Sequence, residues 1–142
     1  MGVKMNISDN SKDIIVKEIN YAVSMMNESS NVEEKLYYFS AVYSVIQRIF
    51  NLEYDSDLIY AHFILRETYN AFLQRLGAIK AGQTLIPLSD EQLEKLISLI
   101  KELGEKIENK KDINATLKEL AILSYTTSGN GYYLVQKGLL KI

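Results

Sequence analysis

From Asp57 to Ala81 the chain reads DLIYAHFILRETYNAFLQRLGAIKA, 25 residues with apolar side chains at helical intervals and no proline. At 100° per residue, Leu58, Ala61, Leu65, Thr68, Phe72, Leu76 and Ile79 fall on one stripe. Tyr60, Ile64, Ala71 and Ala78 widen it on one flank. An arc this broad requires helical neighbours on more than one side. The opposite side carries Arg66, Glu67, Asn70 and Gln74, but also Ile59, Phe63 and Leu73. Those three must meet another helix or form part of a subunit contact. Asp55 or Ser56 can cap the start, and Gly82 suits the C′ position just past a helix. Such a helix is about 37 Å long, the span of a small domain.

The flanking sequence supplies its partners. A first helix is predicted over Lys12 to Asn27, capped by Ser11 and buried through Ile15, Ile19, Ala22, Val23 and Met26. Asn31 and Glu34 have capping-box spacing, so a second helix runs from there to about Asn51. Only Leu52-Glu53-Tyr54-Asp55 separates it from the long helix, which predicts antiparallel packing. Residues 83–88 read as a surface crossing. Ser89 and Gln92 form a capping box, with Leu88 placed to staple onto Leu93. The amphipathic helix that they start ends near Glu108 and turns its polar side outward. Asp112 is predicted to cap a fifth helix ending near Ser124, before the turn-forming run Thr126 to Gly131. The expected fold is all-α: one up-and-down antiparallel bundle of about five helices over residues 1–142. Residues 1–11 are read as a flexible N-terminus, and residues 126–142 as an appended helix or strand-like arm.

Bulk properties narrow the function classes. A net charge of −2 and a pI near 5.5 give no electrostatic basis for nucleic-acid or anionic-membrane binding. No cysteine is present, which removes disulfides and thiolate metal sites together. A single proline, with Ile, Leu, Lys and Glu prominent, suits a helical protein and carries a faint thermophile signature. The first ten residues hold no secretory h-region, so a cytoplasmic location is expected. The Asn-x-Ser/Thr triplets at Asn6, Asn27 and Asn114 then read as chance matches.

Two constellations qualify as candidate sites. His62, Arg66 and Tyr69 share one edge of the long helix: half of a ligand pocket, with Arg66 for an anionic group and His62 as acid or base. The competing structural reading is a border strip whose stems cover apolar neighbours while their polar tips stay in water. Thr127, Ser128, Gly129 and Gly131 lie in a hydroxyl- and glycine-rich run that could offer backbone N–H groups to an anion. It matches neither phosphate-binding glycine motif, and a plain inter-helix turn explains it as well. A bundle di-metal site needs two Glu-x-x-His pairs. The chain has one histidine, and Ile59 stands three residues before it, so no metal or cofactor is expected.

The segments Leu117-Lys118-Glu119-Leu120-Ala121 and Lys137-Gly138-Leu139-Leu140-Lys141-Ile142 resemble the flanks of a winged helix-turn-helix. That resemblance implies DNA binding, but the middle departs from it: Tyr125 replaces a motif glycine, Gly131 an apolar core residue, and basic residues are scarce. In size and helix count the chain is also similar to corrinoid adenosyltransferases, without their motif residues. The principal expectation is therefore a non-enzymatic interaction or scaffold protein that self-associates as a homodimer or larger. The alternatives are a nucleotide- or corrinoid-type ligand-binding bundle and, behind it, a DNA-binding accessory protein.

Overall fold

The computed structural model describes residues 5–82 and 88–128, which form five helices and no strand. They are α1 (Asp9–Glu28), α2 (Val32–Phe50), α3 (Ser56–Lys80), α4 (Asp90–Glu108) and α5 (Asn114–Thr127). No helix among the described residues is long and apolar enough to cross a membrane.

Four helix starts are built on side-chain caps that relieve the unpaired N–H groups of the first turn. Asn31 Oδ1 accepts from the Glu34 N–H at 2.8 Å, and Asp55 Oδ1 from the Leu58 N–H at 2.8 Å. Ser89 and Gln92 form the full reciprocal capping box. The first helix begins earlier than its sequence suggests, because Ser8 rather than Ser11 is its cap. Ser11 lies inside the first turn, where its hydroxyl donates to the Glu53 carboxylate. Glu53 also accepts from the Ser8 N–H at 2.9 Å and the Ser8 hydroxyl at 2.8 Å. Asp55 Oδ2 accepts from the Asn6 N–H at 2.8 Å. The α2–α3 turn thus anchors residues 5–8, part of the stretch expected as a flexible N-terminus, and sets negative charge at the positive end of α1.

At the fifth helix the expected cap shifts by one residue. Ile113 occupies the cap position without a side-chain bond, and Asp112 Oδ1 accepts from the Asn114 N–H at 2.9 Å. That is the Asx-turn alternative open to a short acidic side chain.

Each helix packs on two principal neighbours, and the pairs α1·α2, α2·α3, α3·α5, α5·α4 and α4·α1 close a ring. Chain direction alternates along the sequence. Lys80 meets Glu33 and Phe50 meets His62, so α2 and α3 run antiparallel, as the short connection requires. With an odd number of helices one neighbouring pair must be parallel. It is α3 with α5, where Thr68 approaches Leu120 and Ser124 while Arg75 approaches Thr127. The end of α3 and the start of α4 therefore both lie beside the end of α5, and residues 83–87 lie outside the described residues.

The ring encloses one continuous core that includes Ile15, Ile19, Phe39, Leu65, Phe72 and Ile100. All five residues expected to form the buried face of α1 lie in it. At the α1–α4 crossing, Gly104 leaves room for Ile19: a Cβ on Gly104 would meet Ile19 Cγ2 at 2.7 Å. The apolar arc of α4 packs on α1 and α5, and its Glu/Lys side faces solvent.

Candidate functional site

The long helix, α3, carries both candidate constellations or touches them. Its buried residues are Leu58, Ala61, His62, Leu65, Thr68, Ala71, Phe72 and Arg75. Two of them bear chemistry and sit on the core side for different reasons.

His62 is 5 % exposed and lies among aromatic rings. Phe50 approaches edge-on at 5.1 Å between centroids, Tyr43 at 6.0 Å and Phe63 at 6.1 Å. Its Nε2 has no hydrogen-bond partner among the described residues. Burial, then the nearby charge of Arg66, hold the imidazole below its ordinary pKa, which keeps it neutral. Tyr69 is half-buried and packs at a tilt against the same Tyr43 ring, 5.3 Å between centroids; burial, then Tyr43, raise the pKa of its phenol. Arg66 projects into solvent. Tyr43 of α2 thus links His62 to Tyr69, while Arg66 stands outside. The larger grooves are lined by neither His62 nor Arg66; Tyr69 lines the one between α2 and α3.

At the other end of α3 the structure brings together residues that the sequence reading did not combine. Arg75 is 4 % exposed, and its Nε donates to the Thr127 carbonyl at 3.0 Å. One terminal nitrogen donates to the Ser128 carbonyl at 3.5 Å. Thr127 is fully buried, and its hydroxyl accepts from Gln92 Nε2 of α4 at 3.3 Å. The guanidinium therefore caps the last carbonyls of α5 at the negative end of that helix. α5 consequently runs to Thr127, beyond the expected stop at Ser124. Of the proposed anion loop, Thr127 lies in the last helical turn and Ser128 is the C-cap, with its N–H bonded to the Ser124 carbonyl. Gly129 and Gly131 lie outside the described residues, as do the second flank of the winged-helix resemblance and most of the 126–142 arm. Sequence carried one signal for Arg75: it comes seven residues after Thr68 and three after Phe72, on the stripe that is otherwise core.

The solvent side of α3 is unusually apolar. Phe63 is 57 % exposed and Leu73 41 %, while Tyr37 of α2 stands 69 % exposed beside Leu73. No helix among the described residues covers them. An open groove of about 350 Å³ between α2 and α3 is walled by Leu36, Tyr37, Tyr69, Leu73, Leu76 and Gly77, with Glu33 and Lys80 at its edge. A second, of about 500 Å³ between α3 and α5, is more polar, lined by Glu67, Asn70, Gln74, Ser124, Tyr125 and Ser128 among others. Among the described residues no three His, Cys, Asp or Glu side chains gather as a metal would need.

Comparison with known protein families, with characterised proteins and with solved structures gives no match to this chain.

Proposed function

We propose that this protein is a cytoplasmic, non-enzymatic interaction module that works as a homo-oligomer. One observation carries the reading. α3 is apolar on two opposite sides, and the described helices cover only one of them. Exposed large apolar side chains scattered singly are ordinary, but several on one helix, beside an apolar groove, mark an association surface. The net charge is small and the outer face of α3 balances one Arg against one Glu among apolar and neutral polar groups, which suits a protein partner over a polyanion. Native mass spectrometry at tens of micromolar tests this. A defined multimer with no added mass is the expected result, and a strict monomer overturns the reading.

A second reading, a small-ligand bundle, draws support from the polar α3–α5 groove and, separately from it, from Nε2 of His62, which has no partner among the described residues. The same spectrum decides it. A stoichiometric small-molecule adduct on a monomer favours this reading, and Arg66→Ala then shows whether the guanidinium takes part.

A further inference from the structure

Self-association points to a specific surface of α3, whose assignment rests on the homo-oligomer reading. On the side of α3 opposite its core stripe, Ile59, Phe63, Arg66, Asn70, Leu73 and Gly77 succeed one another at intervals of four, three, four, three and four. They fall within an arc of about 80° at 100° per residue. All are exposed except Ile59, which is half-buried. Alternating fours and threes are the spacing of a two-helix seam. The set is also symmetric about position 68: reversing the helix exchanges Ile59 with Gly77, Phe63 with Leu73 and Arg66 with Asn70. An antiparallel copy of the same helix presents its complement at every step.

The chemistry of the exchanged positions fits. Leu73 and Gly77 help wall the α2–α3 groove, and Ile59 and Phe63 are the large apolar groups further up the same stripe. A Cβ on Gly77 would meet no atom within 4 Å, so the groove is open at that point. We propose that α3 pairs antiparallel with α3 of a second copy about a two-fold axis level with Thr68, Ile59 and Phe63 of each chain entering the α2–α3 groove of the other. An interface of this kind uses the same patch twice.

Charge complementarity favours an identical partner. Arg66 and Glu67 are exposed, and neither has an ion-pair partner within the chain among the described residues. In the antiparallel register Arg66 is offset from the partner's Glu67 by about 4.5 Å along the helix, within reach of a guanidinium. The two-fold axis makes that pair twice. Arg66 also faces the partner's Asn70, a polar step inside an apolar seam of the kind that fixes register. The acidic start of α3 at Asp57 lies toward the partner's Lys80 end, so the helix dipoles oppose.

The chain has no cysteine, so introduced thiols are the only ones present. Full-length Phe63→Cys and Leu73→Cys proteins, mixed and mildly oxidised, should give a disulfide-linked heterodimer. Either protein alone should give none, because like positions lie about 15 Å apart along the axis, beyond the roughly 7 Å Cα reach of a disulfide. Arg66→Glu should weaken association at least tenfold, and adding Glu67→Arg should restore it. A wild-type dimer with no heterodisulfide and no response to Arg66→Glu overturns this seam and leaves self-association standing. Efficient disulfides within Phe63→Cys alone overturn the antiparallel register. A monomeric wild type overturns both.

Discussion

Glu53 shows how a single half-buried side chain ties two parts of the chain together. Its carboxylate accepts bonds from the Ser11 hydroxyl and from the backbone N–H and hydroxyl of Ser8, and these bonds, led by Ser11, lower its pKa below the ordinary 4.5. A lowered folded-state pKa means the unfolded chain binds the proton more tightly. The stabilisation is therefore present above about pH 4.5 and is lost as pH falls through the folded value. Glu53→Gln should flatten the fall in melting temperature across that acidic range, and an unchanged acid profile would contradict the assignment. His62 obeys the same linkage at higher pH. Its pKa is held below 6.5 by burial and by Arg66, so stability should decline as pH drops from 6.5 toward the folded value. As the chain's single histidine it gives one assignable imidazole signal, and an NMR titration should place its midpoint below 6.5. A midpoint at or above the ordinary value would mean the ring is hydrated or paired.

Between elements, packing is decided by a few close approaches. Gly104 faces Ile19, and the methyl that a Gly104→Ala change would hit is on a fully buried, β-branched side chain with no room to swing. Overpacking of this kind costs about 1–3 kcal/mol, against a helix-propensity gain of about 1 kcal/mol. Gly104→Ala should lower stability, and Ile19→Ala in the same chain should remove the clash, giving a positive coupling in a double-mutant cycle by urea unfolding. Arg75 joins α3 to the end of α5. Arg75→Met strips buried carbonyls of a charged donor and should cost about 2–3 kcal/mol, with the last-turn amides of α5 losing hydrogen-exchange protection first.

These contacts also mark where sequence reading succeeds. The start of α4 was legible because Ser89 and Gln92 carry the whole signal within one helical turn. The end of α5 was not, because Thr127 is held by Arg75, 52 positions earlier in the chain. Asp112 looked like a cap, yet its short side chain was equally able to bond two residues on, and local sequence does not choose between those options. For the candidate site, the edge shared by His62, Arg66 and Tyr69 came directly from helical spacing. That Tyr43 and Phe50 pack against His62 did not, since it depends on how α2 lies against α3.

For the whole molecule, the decisive fact is the order of helices around the ring. Placing α5 beside α3 lets α4 close onto α1 and leaves the outer side of α3 uncovered among the described residues. The excess apolar character of Ile59, Phe63 and Leu73 was visible in the sequence, but whether a helix covers them depends on that order. In the described part none covers Phe63 or Leu73, and Ile59 is half-buried. Removing a large, well-packed apolar residue from an interface costs about 2 kcal/mol, and the two-fold seam loses Leu73 twice, so its loss should weaken association roughly a thousandfold. The direct measurement is sedimentation equilibrium of the wild type beside Leu73→Glu at tens of micromolar, with circular dichroism to confirm equal helix content. A dimer seam through Leu73 predicts twice the 16.2 kDa chain mass for the wild type and the single-chain mass for the variant. A wild type at the single-chain mass, or a Leu73→Glu protein that stays fully dimeric, would rule that seam out.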